Sequence, residues 1–432
     1  AAALVASMSA DEATRVTAET QLTQGGTQPG FGLALTRVAL NQQVPFGTRQ
    51  LGAVVLKKYI KEHWVEGEGR FFPPQTSDEE KGAIRELLPV GLGDPVGKIR
   101  TACGMAIATI CTWDWPHSWP ALTGILIGAL REKSSEDSVV GALRCLAMIA
   151  GDLEETQVRE VVPLLFPELL SLVAAPNVSL SIKRRALAVI HSVLMTLGMM
   201  SGARQRAVRD LMTPLLPGWI DAFTAILDGN NFNASLEISA NQCGVVLETL
   251  RCLTQVTQYF SKTAGDILLV PLGRAAMLFH TIAPAYRNGF IASNGDGDFD
   301  EIQDSDGETL SLETVVVQVV ELVMTLVEHP RLGATLTSSL DELVYQAIGY
   351  MQMTTSQEET WRDDPNQYVA DEDDDVSTVS FFSRKILLAL YCVVRVPLGS
   401  RFTTSCEEFL IIPIYETISQ LPIQSTDVFQ KV

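Results

Sequence analysis

The sequence predicts an all-α protein built as an array of helix pairs. Three observations lead to this prediction: apolar residues recur every three or four positions, strand-type alternation is nearly absent, and helix starts recur at similar distances. Apolar residues make up 47% of the 432-residue chain and charged residues 19%, which is enough for a folded core. A chain of this length is expected to form several domains or one extended repeat array.

The helices are indicated by apolar stripes and by capping residues. One stripe consists of Val96, Ile99, Ala102, Cys103, Ala106, Ile107 and Ile110, a second of Ile182, Ala186, Val189, Ile190, Val193 and Leu197, and a third of Val246, Leu250, Leu253, Val256 and Phe260. Ser9 and Ser77 each precede a Glu by three positions, which predicts capping boxes with Glu12 and Glu80. Asp94 precedes a proline, so its carboxylate is expected to cap the helix that follows.

These starts allow the helices to be paired. Second helices are predicted to begin near residues 45, 95, 135, 179 and 235. Pairs that recur at about 40 to 47 residues are typical of HEAT and armadillo arrays. Because one pair cannot bury its apolar face alone, pairs stack into a curved superhelix that suits the wrapping of proteins. We therefore predict a HEAT-repeat α-solenoid, one continuous array over 1–432 with about eight or nine repeats, truncated at both ends.

The acidity of the chain is concentrated in two short segments. The chain has 32 Lys+Arg and 51 Asp+Glu, a net charge of −19. Residues 294–308 and 363–375 hold seven acids each and no base, and the rest of the chain sums to −5. Blocks of like charge resist packing, so both segments are predicted to be extended acidic loops between helices. The charge argues against nucleic acid and anionic membranes as partners and favours basic ones.

The sequence lacks the motifs of an enzyme or of a metal site. The stretch from Gly91 to Lys98 resembles a phosphate loop, but its spacing is wrong and Ile99 stands where Ser or Thr would hold magnesium. In the first acidic segment Asp296, Asp298 and Asp300 fit the first, third and fifth positions of an EF-hand loop. Glu301 then stands where glycine is needed, and Gly307 stands where the bidentate Glu should be. The odd number of cysteines, seven, and the absence of Cys-x-x-Cys favour buried free thiols. We expect no catalytic residue, cofactor or metal, and no membrane span.

Three tryptophans lie close together at a predicted helix junction. They are Trp113, Trp115 and Trp119, in the sequence WDWPHSWP. Their rings could line an aromatic ligand site, but we favour a plug that fills the space between neighbouring repeats.

Several motifs resemble the importin-β family of karyopherins. Residues 31–64, FGLALTRVALNQQVPFGTRQLGAVVLKKYIKEHW, resemble the N-terminal homology segment of that family, which we place at 15–90. The stretches IRELLPVGLGDPVGKIRTACGMAIATI and WDWPHSWPAL resemble its next repeats. DSDGETL at 304–310, YMQMT and EETW within 350–361, and DPNQYVADEDDD at 364–375 resemble later segments. The resemblance extends to about residue 395 and is lost from about Ser400.

The resemblance implies a nuclear transport receptor that shuttles between cytoplasm and nucleus. The implied partners are the Ran GTPase, Phe-Gly nucleoporins and basic cargo such as core histones and ribosomal proteins, which the receptor would shield from nucleic acid. Cargo would be released in response to RanGTP. We expect the chain to act as a monomer, without direct contact to nucleic acid or membrane.

The resemblance also suggests candidate contact residues. For cargo they are the acids of the two segments: Asp296, Asp298, Asp300, Glu301, Asp304, Asp306, Glu308, Asp371, Glu372, Asp373, Asp374 and Asp375. For Ran they are two basic clusters within the first 200 or so residues: Lys57, Lys58 and Lys61, and Lys183, Arg184 and Arg185. Each set could instead be ordinary solvated surface or linker.

Two other functions remain open at this point. A HEAT-repeat scaffold or assembly subunit outside transport would share the fold, and failure to bind Ran would favour it. An all-α enzyme would need a nucleophile, metal or cofactor motif, which we do not find.

Overall fold

The computed structural model describes residues 1–67, 71–132, 135–229, 239–291, 302–303, 309–329, 331–333, 340–374, 379 and 383. The chain divides into two compact units, Ala1–Leu215 and Leu216–Val432. Each unit is built of helices that pack in two layers, so the predicted all-α class is confirmed. Residues 400–432 lie outside the described part of the chain.

The first unit contains ten α-helices among its described residues. They are α1 (Ala2–Ala6), α2 (Glu12–Gly25), α3 (Phe31–Leu40), α4 (Phe46–His63), α5 (Asp78–Leu87), α6 (Gly97–Asp114), α7 (Ala121–Glu132), α8 (Glu136–Ala150), α9 (Glu155–Ala174) and α10 (Leu180–Met212). A 3₁₀ segment, Leu88–Gly93, joins α5 to α6 and occupies the place of the apparent phosphate loop. α10 is two helices merged across a kink at Arg204.

The helices of the first unit form pairs. Helices α4, α6, α8 and α10 pack one against the next and make the second layer, while α3 packs on α5 and α7 on α9 in the first layer. The second helices begin at Phe46, Gly97, Glu136 and Leu180, within two residues of the predicted starts. This pairing is the HEAT-repeat arrangement that the sequence predicts.

The second unit repeats the same plan. Its helices are α11 (Leu216–Gly229), α12 (Ala240–Ala264), α13 (Leu269–Thr281), α14 (Ala283–Tyr286), α15 (Leu312–Glu328), α16 (Leu340–Tyr350), α17 (Thr355–Asp363) and α18 (Pro365–Asp374). A 3₁₀ segment, Gly265–Leu268, precedes α13, and a π-helical turn, Arg287–Ile291, follows α14. Two short strands, β1 (Ile302–Gln303) and β2 (Thr309–Leu310), pair antiparallel with Ile302 opposite Leu310. Helix α12 packs on α15, and α11 on α13.

The tryptophan-rich junction is part of the core. Trp115 and Trp119 are 3% and 4% exposed. The Trp115 indole nitrogen donates to the Thr123 hydroxyl at 3.0 Å, and the Trp115 carbonyl accepts from Gln157 Nε2 at 2.6 Å. Because these contacts join α6, α7 and α9, the two rings act as the predicted plug between neighbouring pairs.

Two predicted capping boxes differ from the structure. Asp11, and not Ser9, caps α2, because its carboxylate accepts from the Thr14 amide at 2.8 Å. Ser77 does cap α5, but the Glu80 carboxylate does not reach back to it. It accepts instead from the amides of Gly30 and Leu33 at 2.8 and 3.0 Å and so caps the start of α3. A carboxylate can cap its own helix or the start of a neighbouring helix, and sequence spacing cannot distinguish these two cases.

The second acidic segment is helical where a loop is predicted. Residues Pro365–Asp374 form α18, and Asp363 is the last residue of α17. The Asp364 carboxylate accepts from the amides of Asn366 and Gln367, both at 3.1 Å, and proline suits the first turn. These local bonds outweigh the repulsion between acids, so the prediction of an extended loop is wrong for 365–374. The acids of 294–308 and Asp375 lie outside the described residues.

Two stretches, 180–202 and 240–291, are long and apolar enough to cross a membrane by length and composition alone. Polar residues interrupt both stretches, so neither forms the unbroken apolar run that predicts a membrane span. In the structure their apolar positions supply core residues of the two units, such as Val189 and Val193 in α10 and Leu250 and Leu253 in α12. A core helix passes the same composition test as a membrane span.

Candidate functional site

The first candidate surface is a row of lysines on α4. Lys58 and Lys61 are exposed, and Lys57 is half-buried with its ammonium 3.4 Å from the Met105 sulfur of α6. Lys58 makes a 3.9 Å ion pair with Glu62, but its side chain keeps 69% of its surface exposed. Such an exposed pair is weak, so the two outer ammonium groups are available to an acidic partner.

A buried ion pair fixes the position of α4. The Arg49 guanidinium pairs with the Asp94 carboxylate, and both side chains are about 5% exposed. Arg49 Nε also donates to the Ala39 carbonyl at the end of α3, 2.9 Å away. Asp94 in turn accepts from the Val96 amide at 2.9 Å, just before α6. One arginine thus joins α3, α4 and the start of α6, which sets the lysine row rigidly beside α6.

The carboxyl end of α4 is held by a second carboxylate. Asp114, the last residue of α6, accepts from the Trp64 indole at 2.9 Å and from Arg85 at 3.2 Å. Arg85 also donates to the Ser118 carbonyl at 2.9 Å. The residues that follow Lys61 are therefore anchored to α5 and α6, and the lysine row has a fixed frame at both ends.

Methionines accompany the cations along the second-helix layer. Met105 in α6 and Met148 in α8 are half-buried, whereas Met195 and Met199 in α10 are 44% and 70% exposed. Methionine is unbranched and polarizable, so it adapts to varied apolar surfaces. Basic and adaptable apolar groups together suit a protein partner with an acidic surface. The sequence analysis singled out only the basic residues.

The second basic cluster does not form an exposed patch. Arg184 is only 4% exposed, and Lys183 and Arg185 are half-buried. Desolvation by the surrounding protein lowers the pKa of Lys183 from its usual value near 10.5. In α10, which packs against both α8 and α9, residue 184 lies on the side of the helix opposite Ile182 and Ala186, and the fully buried Leu187 shares that side. Of the six predicted Ran contacts, the α4 lysines are thus the more accessible set.

A cleft of about 890 Å³ lies beside α4 near the start of the chain. Apolar residues line it from the turn after α1 and from α2, α3 and α4, together with Glu19, Lys58, Glu62 and the exposed ring of Phe72. His63, at its base, is buried and its Nδ1 lies 3.1 Å from the Pro74 carbonyl. The cleft adds an apolar surface next to the lysine row. Sequence reasoning missed it because its lining residues come from separate segments of the chain.

The next feature of the described part of the chain is its set of potential metal ligands and cysteines. No group of three or more His, Cys, Asp or Glu side chains that could hold a metal ion occurs among the described residues. Cys103, Cys111, Cys145, Cys243 and Cys252 are free and buried. Burial raises the pKa of Cys103 and Cys145 to about 12, so they remain thiols at neutral pH and are poor nucleophiles.

The second unit presents a surface that sequence reasoning missed. Helices α17 and α18 form a hairpin in which no described residue is buried. Trp361 is 45% exposed and Val369 is 51% exposed. The Trp361 and Tyr368 rings meet edge to face with centroids 5.2 Å apart. Trp361 lies in the EETW motif and Tyr368 in DPNQYV. Because 363–375 was predicted to be an extended loop, the contact between these two rings was not foreseen.

Comparison with known proteins places the first of these surfaces in a known domain. Residues 18–94 match the family described as Importin-beta N-terminal domain, which overlaps the predicted 15–90 region and includes all of α4. The chain is 26% identical over 368 residues to importin-9 of Drosophila melanogaster, covering 84% of this chain and 35% of that protein. It is 32% identical over 128 residues to human importin-11, covering 30% and 13%. The chain spans about a third or less of these relatives.

Solved structures share the fold. The exportin Cse1 in its cargo-free, cytoplasmic state matches with a TM-score of 0.66 and 16% identity over 97% of this chain and 46% of that chain. Kap121p bound to RanGTP matches with a TM-score of 0.56 and 18% identity over 99% and 34%. The Kap95:Nup1 complex matches with a TM-score of 0.60 and 15% identity over 96% and 45%.

Proposed function

The chain belongs to the importin-β family of karyopherins, and from that premise we propose that it is part of a nuclear import receptor for basic cargo that responds to RanGTP. The family comprises nuclear transport receptors that shuttle between nucleus and cytoplasm, and not enzymes. The observation that carries the proposal is the exposed lysine row of α4, which lies inside the importin-β N-terminal domain at 18–94. Its frame of buried ion pairs makes it a preorganised surface.

The α4 lysines are proposed to contact Ran. Kap121p, which shares the fold, has been solved bound to RanGTP. In this chain Lys58 and Lys61 present two ammonium groups with few competing carboxylates, and Met105 and the cleft supply apolar surface nearby. Charge complementarity of this kind chiefly raises the association rate and the specificity.

Basic cargo is proposed to contact the acidic segments. Kap121p has also been solved bound to Pho4p, so this fold accommodates protein cargo. The concentration of 14 acids in 294–308 and 363–375 suits histones and ribosomal proteins, whose own basic surfaces otherwise attract nucleic acid. Each exposed pair contributes about 0–1 kcal/mol, but many together can compete with phosphate. We infer that the receptor shields such cargo while it shuttles as a monomer.

Phe-Gly nucleoporins are proposed to bind the first-helix layer. A complex of Kap95 with Nup1 shares the fold. In this chain α7 and α9 pack side by side, and Ile125 and Leu164 on them are 41% and 53% exposed. Exposed aliphatic side chains on adjacent helices offer a shallow apolar site for a phenylalanine ring.

The Ran contact can be tested by charge reversal. The double substitution K58E/K61E is expected to weaken binding of Ran locked to GTP by about tenfold, since two attractive contacts become repulsive. Lys262→Glu, an exposed lysine on α12, is the matched control and should leave the affinity unchanged. Titration by fluorescence anisotropy would measure all three. If the wild-type chain does not bind Ran at all, a HEAT-repeat scaffold becomes the better description.

A further inference from the structure

The α17–α18 hairpin is stabilised locally although its described residues bury nothing. Thr354 and Gln357 form a capping box at the start of α17, and Asp364 caps α18. Gln367 donates to Asp371 at 2.6 Å along α18. The Thr355 hydroxyl donates to the Ile291 carbonyl at 3.3 Å and so ties α17 to the rest of the unit. Short helices are marginal alone, so these bonds matter for the stability of the hairpin.

The hairpin presents an exposed aromatic ring on two helices rich in acids. The indole of Trp361 is 45% exposed, and Val369 on α18 is 51% exposed. Five exposed acids lie within the same two helices and their junction: Glu358, Glu359, Asp363, Asp364 and Asp371. Arg362 is the single base between residues 354 and 371. Tyr368 packs its edge against Trp361 and so holds the indole in place.

This combination fits one kind of occupant. A flat π face attracts the cation of an Arg or Lys side chain, and the neighbouring carboxylates attract the next cations along the same segment. Methylene groups of those side chains would cover Val369 and the indole edge. An acidic partner would be repelled, and an apolar partner would remove charged carboxylates from water at a cost.

We propose that the hairpin is a docking site for an extended Lys/Arg-rich segment, with Trp361 as the aromatic anchor and Tyr368 as its positioning residue. The proposal rests on the proposed function, because it names a specific contact for the basic cargo. An aromatic anchor differs from attraction by the acids alone in how the binding affinity depends on salt. The anchor contributes affinity that does not depend on ionic strength, whereas the carboxylates contribute the salt-dependent part.

The test uses the full chain and a fluorescent 20-residue peptide of alternating Lys, Arg and Gly. Trp361→Ala is expected to weaken binding about three- to tenfold at every salt concentration and to leave the slope of affinity against salt unchanged. Trp361→Phe, which keeps a smaller ring, should recover part of the loss. Met277→Ala, at an equally exposed apolar residue of α13, is the control and should have no effect.

A second set of variants separates the anchor from the acids. Replacing Glu358, Glu359 and Asp363 by Gln, Gln and Asn should lower the salt slope while the effect of Trp361→Ala persists in that background. Far-ultraviolet circular dichroism would verify that the helices remain.

The outcomes distinguish the two proposals. If the wild-type chain binds the peptide and Trp361→Ala binds equally well, the aromatic anchor is wrong and the cargo proposal stands. If the wild-type chain binds a core histone dimer but not the peptide, the docking site is wrong. If it binds neither, both are wrong.

Discussion

A few buried polar side chains decide how the helices of the first unit are joined. Asp94 and Asp114 each bond to groups on two other segments, and Glu80 of α5 bonds to two amides at the start of α3. Each carboxylate is removed from water, so it is favourable only while its partners remain in place. Such residues fix the relative positions of the helices. Apolar contacts alone allow one helix to slide along another.

Arg49 tests this view most simply. Arg49→Met should destabilise the first unit by about 3–5 kcal/mol, because it leaves the Asp94 carboxylate buried without its cation. Lys58→Met, which removes the exposed pair with Glu62, should change stability by less than about 1 kcal/mol. Urea unfolding followed by tryptophan fluorescence would measure both. Equal effects of the two substitutions would show that the buried pair has no special role.

The surroundings of His329 predict that the folding stability of the second unit depends on pH. Its Nδ1 accepts from the amides of Arg331 and Leu332 at 3.3 and 3.2 Å, and Nε2 lies 3.0 Å from the Ser261 hydroxyl. Desolvation, with nearby Arg331 and Lys262, lowers the pKa of His329 from its usual 6.5. Protonation therefore favours the unfolded chain. The contribution is present above pH 6.5 and is lost as the pH falls through that value toward the lower folded pKa.

Denaturation at a series of pH values from about 8 to 5 would measure this contribution. His329→Gln should reduce the decline in stability of the second unit over that range. His117→Gln, at an exposed histidine of the first unit, should leave the decline in stability of the second unit the same as in the wild type. An identical decline in wild type and His329→Gln would contradict the assignment.

At the scale of elements, close approach between helices depends on glycine. A Cβ at Gly141 of α8 would overlap the Leu92 carbonyl of the 3₁₀ segment, whereas a Cβ at Gly124 of α7 would meet nothing within 4 Å. The first position sets the distance between α8 and the 88–93 segment. The second is an ordinary exposed helix position.

Gly141→Ala should therefore lower stability by about 1–3 kcal/mol through overpacking. Gly124→Ala should raise it by up to about 1 kcal/mol, because alanine favours the helix. The melting temperatures of the two variants would move in opposite directions. A neutral Gly141→Ala would mean that α8 and the 3₁₀ segment can separate without loss.

The helix starts of the first unit could be predicted from sequence because caps and apolar stripes are local signals. Glu80 and Arg49 could not be assigned, since their partners lie 50 and 45 residues away. Arg184 was wrongly predicted to be exposed, because three consecutive cations were treated as one surface. Successive side chains on a helix point about 100° apart. The α18 helix was missed because the repulsion between acids was weighed above the Asp364 cap.

For the whole molecule, with its net charge of −19, we propose that the cations and the acids serve different partners. The cations of α4 lie in the importin-β N-terminal domain, and the acids are concentrated in the second unit. A receptor that binds a basic cargo and an acidic regulator needs surfaces of opposite sign. We expect the two ligands to be coupled, so that occupation of one site weakens the other.

The proposed coupling predicts that RanGTP releases bound cargo. A labelled core histone dimer is bound to the chain, and Ran locked to GTP or to GDP is titrated into the complex while anisotropy is followed. The account predicts dissociation of the histone by the GTP form and little effect of the GDP form. A histone complex that forms but is indifferent to the GTP form of Ran would contradict it.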